Sequence, residues 1–437
     1  MAIPIFEVQF DKSGNVFQPQ QEADIRSFLS AAPGNQTTDV VALSHGWNND
    51  MDEARTLYRT FLARLEPLLP AARAGKLIAI GLLWPSKKFA EKDLIPSGAA
   101  AFDPFETMAP LLAAQVEQLK NVLGSPEADA AIDAAAALLP QLENSASAQR
   151  DFVNKLGVLL ARHTDAAQLS PEEGTPSLAA QDGADLLQRL SAPVSTQAVD
   201  TSAGGAASFN DSPAGGAADL SSTSSSITAG ASRLMNYFTY YVMKDRAGVV
   251  ARNGVNPMLS RIQAAVSANI RFHLAGHSFG GRLVTATVDG PNRLRINTLL
   301  LLQAAFSHNG FAQRYDNQHD GFFVNVVQQQ KISGPILVTH SDQDRAVGLA
   351  YPLASRISGD TAAALGDAGD VYGGIGRNGA QHMGNLAEDV TLLPAQSPYQ
   401  LTAGKAIYNF NGDKVITSHG DVARPETAWL MAMRIAA

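Results

Sequence analysis

Six short strand-like segments punctuate this chain: the apolar runs Asp39–Ser44, Leu77–Trp84, Ile296–Leu302, Pro335–Thr339 and Ala406–Phe410, and the alternating Ile270–Ala275. Each is long enough for one strand and too short for a helix that crosses a domain. Most are apolar without alternation, which implies burial on both faces, the condition of strands in a parallel sheet covered by helices. Between the first two, the segment from about Met51 to Leu69 has helical periodicity, so the chain opens strand, helix, strand. The pattern predicts an α/β fold with an open, mostly parallel sheet flanked by helices.

The remaining segments fit around that sheet. Residues Ile3 to Phe17 alternate around Lys12-Ser13-Gly14-Asn15 and read as an opening β-hairpin. Residues 98–192 are Ala-rich with few β-branched side chains, which predicts a helical insertion and a candidate lid. From 193 to 232 the composition turns to Ser, Gly, Ala and Thr, too apolar-poor to offset the entropy of ordering, and a flexible linker is expected. A long surface loop pinned at both ends is the alternative. Helical patterns return at Leu234–Met243, whose aromatic residues suit core packing better than pocket lining, at about Pro257–Ala268 and at Pro425–Ala437. The organisation is therefore a first part of the fold over 1–97, the insertion, the linker, and a second part over 233–437.

Composition narrows the function. A hydrophobic fraction of 45% with 17% charged residues is that of a soluble globular chain, and no run of about 18 apolar residues could span a bilayer. The net charge of −8 argues against nucleic acid or an anionic membrane as partner. Cysteine is absent, so disulfides, thiolate metal sites and cysteine nucleophiles are excluded. The first residues lack the basic and apolar regions of a secretory signal, which makes a cytoplasmic location the default and leaves secretion open.

The strongest local signal is G-x-S-x-G, present as Gly276-His277-Ser278-Phe279-Gly280 with an additional Gly281, between a predicted strand and a predicted helix. A serine hydroxyl becomes a useful nucleophile only when a base removes its proton and a tight turn exposes it, and small neighbours permit that turn.

In these residues the chain resembles the α/β-hydrolase superfamily over about Asp39 to Trp84 and Leu234 to the C-terminus. The resemblance implies a triad in the order serine, acid, histidine. Ser278 is then the nucleophile. The acid comes from His340-Ser341-Asp342-Gln343-Asp344-Arg345-Ala346-Val347-Gly348, where Asp344 matches the family position better by its distance from Val347-Gly348, with Asp342 as the alternative. His419, after the last strand, is the base. Of the other histidines, His45 and His277 belong to motifs, His273 and His340 to strands and His163 to the insertion, while His308, His319 and His382 are candidates for the pocket. The oxyanion hole implied by the family consists of the backbone N–H groups of Phe279 and of Trp47, in Ser44-His45-Gly46-Trp47-Asn48-Asn49. The Trp47 indole either walls the acyl pocket or packs on the insertion.

The implied activity is ester hydrolysis, as by a carboxylesterase or lipase-like serine hydrolase, on a small-molecule acyl substrate without cofactor or metal. An amidase, peptidase, thioesterase or acyltransferase would use the same residues, and a non-catalytic binding or scaffold protein is the alternative of another class. Oligomeric state is not readable. The insertion precedes the nucleophile strand, whereas the family's common cap follows the next strand. Gly373-Gly374-Ile375-Gly376 lacks the strand and lysine of a phosphate-binding loop and is expected to be a flexible surface loop near the site.

Overall fold

The computed structural model describes residues 2–32, 34–86, 104–164, 181–191, 226–344, 346–347 and 372–437. Most of the predicted linker, from 193 to 225, lies outside the described residues, as do 98–103, 165–180 and 192 of the insertion.

Eight strands form one open sheet in the order β1-β3-β2-β4-β5-β6-β8-β7, every pairing parallel. They are β1 (Ile5–Gln9), β2 (Asp39–Ser44), β3 (Leu77–Leu83), β4 (Arg271–His277), β5 (Thr298–Leu302), β6 (Ile336–His340), β7 (Ala387–Thr391) and β8 (Ile407–Asn411). All residues of β2, β3 and β5 are buried. Successive side chains point to opposite faces, so Val40, Ala42, Leu274 and Leu301 enter one core while Val41, Leu43, Ala275 and Leu300 enter the other.

The helices are α1 (Pro19–Ser30), α2 (Met51–Leu65), α3 (Pro104–Leu123), α4 (Pro126–Ala136), α5 (Ala146–His163), α6 (Gly183–Ser191), α7 (Ile227–Val250), α8 (Asn256–Ala265) and α9 (Phe279–Val288), followed by short turns and a C-terminal helix, Pro425–Ala436. Helix α2 and the C-terminal helix cover the second face, through Tyr58, Phe61, Leu430 and Met431. On the first face, α1 and α9 contact the sheet, α7 packs on α9 and α8 on α1, and the core continues without a break into Leu112, Phe152 and Leu187 of the insertion. The insertion is therefore a further helical layer built on α7. Helix α7 is buried on nearly every side, from Ala229 to Val250, as expected of a helix with packing partners all round. Its Tyr237, Tyr240 and Tyr241 lie in that core, in line with the packing role expected for them.

Four segments differ from expectation. The hairpin keeps its turn, with Asp11 accepting from the N–H groups of Ser13 and Asn15, both at 2.9 Å, but its return arm is only a bridge from Val16 to Phe10. Strand β1 pairs with β3 instead. Helix α1 carries a narrow stripe, burying only Glu22, Ile25 and Leu29. Edge strand β7 reads Ala-Glu-Asp-Val-Thr and is half exposed, so it lacks an apolar run. The predicted linker ends early, because Ser226 caps α7 by accepting from Ala229 N–H at 3.1 Å, and Glu143 accepts from Thr228 N–H at 2.7 Å. Serine there marks a helix start as well as low complexity. Among the described residues no helix is long and apolar enough to cross a membrane.

Candidate active site

The chain crosses from one side of β2 to the other between β3 and β4, so β2 and β4 flank the point at which strand order reverses. In open α/β sheets the crevice beyond the carboxyl ends of such strands is the usual ligand position. Register brings Ser44 level with Gly276, and the loops after the two strands emerge side by side.

Ser278 occupies the single position between the end of β4 and the start of α9. Its φ of 55° and ψ of −125° are uncommon for a residue with a side chain. Backbone strain of this kind persists only where surrounding contacts hold it. Here Ser278 N–H donates to Leu302 O at 3.2 Å, and Ser278 O accepts from Gly281 N–H at 2.9 Å and Ala305 N–H at 3.0 Å. A Cβ on Gly280 would stand 2.4 Å from both the Ser44 and His45 carbonyl oxygens, so glycine is required for α9 to start against the β2 exit.

The neighbouring His45-Gly46-Trp47 turn touches the serine directly: a Cβ on Gly46 would lie 2.8 Å from Ser278 Cβ. His45 anchors this turn from beneath. Its backbone N–H donates to the Tyr58 hydroxyl at 2.9 Å, and its carbonyl accepts from Trp84 Nε1–H at 3.1 Å. Its ring stacks on Trp84, accepts Trp84 N–H at Nε2 at 3.2 Å and donates Nδ1–H to Gly46 O at 3.0 Å. Those partners fix the neutral tautomer, and burial pushes the His45 pKa down to about 4. Trp47 packs its ring on Tyr240 of α7 and on Phe279, so its indole meets both the helix that carries the insertion and the first residue of α9. At that first position the helix supplies no acceptor for the Phe279 N–H.

The structure joins two other predicted residues, 75 positions apart: His419 Nδ1–H donates to Asp344 Oδ2 at 2.8 Å. With Nδ1 so engaged, Nε2 is the ring's basic nitrogen. Asp344 is wholly buried, and its other oxygen accepts Val347 N–H at 3.0 Å. Asp342 is exposed, its N–H donating to Asp413 Oδ1 at 2.7 Å, and makes no pair with His419. His277, next to Ser278, donates Nε2–H to the His419 carbonyl at 2.9 Å, with the two rings 4.7 Å apart. Burial pushes the His277 pKa down to about 3, so this donor is neutral at ordinary pH.

The three loop histidines make other contacts than the His419–Asp344 pair. His308 is buried beside Asn378, His382 bonds Asn309 Oδ1 at 2.7 Å, and His319 pairs with Asp316 at the surface. The segment containing Gly373-Gly374-Ile375-Gly376 is buried rather than a flexible surface loop. It joins the exits of β5 and β6, with Gly376 N–H donating to Ala304 O at 3.0 Å and Ser341 N–H donating to Gly376 O at 3.1 Å. Close approach explains its glycines, since a Cβ on Gly376 would lie 2.5 Å from the Gln303 carbonyl carbon. Among the described residues no group of three or more His, Asp or Glu side chains could hold a metal ion.

Sequence reasoning missed one side chain of this constellation. Gln303 directly follows β5, is wholly buried, and donates Nε2–H to Asp344 Oδ2 at 3.1 Å. The signal available was a lone amide at the carboxyl end of an otherwise apolar strand. Comparison with protein-family models, curated proteins and solved structures returns no match for this chain.

Proposed function

We propose that this chain is a serine hydrolase of the α/β-hydrolase kind that cleaves a carboxylic ester through Ser278, His419 and Asp344. The observation that carries the reading is the His419–Asp344 hydrogen bond of 2.8 Å, on a loop that His277 ties to the strained Ser278 turn. Separate loops beyond the carboxyl ends of β4, β6 and β8, three strands of one parallel sheet, supply what a triad needs: a nucleophile, an acid that orients the base, and a base.

In the proposed reaction His419 Nε2 takes the proton of Ser278 Oγ as that oxygen attacks the acyl carbon. The carbonyl electron pair moves onto oxygen, where the backbone N–H groups of Phe279 and Trp47 stabilise the charge. Collapse expels the alcohol oxygen, which takes the proton from His419 and leaves an ester between the acyl group and Ser278. Water then follows the same course. His419 removes its proton, the hydroxyl adds to the acyl carbon, and Ser278 recovers its proton as the acid departs. Asp344 keeps the imidazole oriented and stabilises its cationic form in both halves. The insertion reaches this site through α7, whose Tyr240 packs on Trp47 and Phe279, and backs the site as a fixed helical layer in this reading.

Reaction with a fluorophosphonate probe and hydrolysis of p-nitrophenyl esters of graded chain length test the proposal. Labelling at Ser278, and ester turnover that Ser278→Ala abolishes, are expected. Turnover that survives the substitution removes the reading, and faster cleavage of matching anilides would move it to an amidase.

A further inference from the structure

We infer that Gln303 is a positioning residue for this site, tying the serine turn to the acid and holding Asp344 in the orientation that His419 uses. The inference rests on the triad reading above and extends it to a residue outside the triad.

Three observations carry it. First, Gln303 Nε2–H donates to Oδ2 of Asp344, the same oxygen that accepts from His419 Nδ1–H. A wholly buried carboxyl group needs partners in place of water, and Asp344 has three from the described residues: the His419 ring, the Val347 N–H and the Gln303 amide.

Second, the same short segment grips Ser278. Leu302 O accepts the Ser278 N–H and Ala305 N–H donates to Ser278 O, so the residues on either side of Gln303 and Ala304 hold both polar groups of the strained turn. Gln303 N–H in turn donates to Thr339 O at 3.3 Å and Thr339 Oγ1 at 3.2 Å on β6, and the acid loop follows β6. Displacement of Asp344 relative to Ser278 is therefore resisted through one residue.

Third, the protein keeps an amide here at a cost. Gln303 has φ of 43°, in the left-handed region, and its Oε1 is buried with no hydrogen-bond partner among the described residues. A leucine or methionine would fill the same volume without an orphaned acceptor, which typically costs about 1–3 kcal/mol. Nor can the amide be turned round, because Oε1 would then face the Asp344 carboxylate. Local strain and an unsatisfied polar atom at one residue point from geometry to function.

The charged and titratable groups around the pair leave the readout interpretable. His277 packs on the His419 ring as a neutral donor, whereas Asp342, Asp413 and Arg377 are engaged with each other through Asp342 backbone atoms.

The test compares Gln303→Met and Gln303→Glu with the unaltered full-length protein, using p-nitrophenyl ester turnover across pH and fluorophosphonate labelling rate. Loss of a hydrogen bond to a charged group predicts about a tenfold fall in kcat for Gln303→Met, with KM changed less than about twofold. Removing a donor concentrates charge on Asp344 and favours the His419 imidazolium, so the acid limb of kcat/KM moves to higher pH. Gln303→Glu sets a second carboxyl against Asp344, where the two cannot both ionise, so the new side chain is held protonated, donates as the amide did and recovers part of the activity that Gln303→Met loses. A packing role would alter thermal stability and leave the limb in place. Should Gln303→Met fail to fold, Gln303→Asn gives the same reading, since asparagine accepts a positive φ and its amide is one methylene shorter. Folded variants with unaltered kcat and an unmoved acid limb overturn the role of Gln303 while leaving the triad intact. An unaltered protein that neither turns over esters nor labels at Ser278 overturns the triad reading itself.

Discussion

His277 donates its Nε2–H to the backbone carbonyl of His419 at 2.9 Å, so the residue before the strained serine holds the loop of the paired histidine. The bond uses the main chain of His419 and leaves its ring to Asp344. Replacing His277 with Phe keeps an aromatic of similar bulk and removes the donor. Ester turnover is expected to fall roughly fivefold to thirtyfold, with a stability loss of about 1–2 kcal/mol. Steady-state kinetics and chemical denaturation on the purified variant check both, and an unchanged kcat would show that the loop is held by other contacts.

Replacing the two aspartates separately distinguishes which carboxylate serves His419. Asp344→Asn should leave the protein folded and lower kcat by on the order of 10³ to 10⁴, because the amide can impose the wrong tautomer on the ring. Asp342→Asn should change kcat less than about threefold, since Asp342 is exposed and its contacts with Asp413 and Arg377 run through its main chain. The reverse ranking would move the acid to Asp342.

Buried neutral histidines set how stability responds to acid. Burial lowers the pKa of His45 to about 4 and of His277 to about 3, and it lowers those of His273 and His340 as well. The unfolded chain therefore takes up these protons first as pH falls below about 6.5. A folded-state pKa below the unfolded value means stability that is full above the unfolded pKa and declines as pH falls toward the folded one. Each such histidine removes on the order of 1.4 kcal/mol per pH unit within its window. Below about 4, the lowered carboxyl pKa of Asp39 adds to the loss; burial opposes that lowering, and bonds from His273 and Thr38 with the charge of Arg271 outweigh it. Urea midpoints should be level from pH 8 to about 6.5 and fall steeply by pH 5. A midpoint unchanged down to pH 4.5 would contradict the buried neutral state of these rings.

The sheet is legible where burial on two faces forces continuous apolar runs: the five apolar runs and the alternating Ile270–Ala275 segment coincide with strands of the core. The two other strands were obscured by composition. Strand β7 is half exposed at the edge, and the alternation of β1 continues through a turn that does form, which gives it the pattern of a hairpin arm. Motif order and loop position point to Ser278, His419 and Asp344, and the structure places the latter two in contact. Contact is what sequence order could not supply. Gln303 is joined to Asp344 only by a fold that sets β5 beside β6, and a single glutamine after Leu302 carries no periodicity or motif. The glycine-rich segment has the composition of a mobile loop, but glycine permits tight packing as readily as motion.

Helix α7 also limits how this molecule can be trimmed. Gly230 is so close to the Leu187 carbonyl that a Cβ would lie 2.5 Å from it, Ser232 bonds Gln115, and Arg233 donates to the carbonyls of Leu190 and Ser191. A chain shortened by deleting the insertion would turn this surface toward water, with its apolar neighbours Leu234, Met235 and Phe238 left without part of their cover. The segment that interrupts the sheet in sequence is thus part of its interior, and a minimal version of this protein would need a redesigned outer face for one helix before anything else.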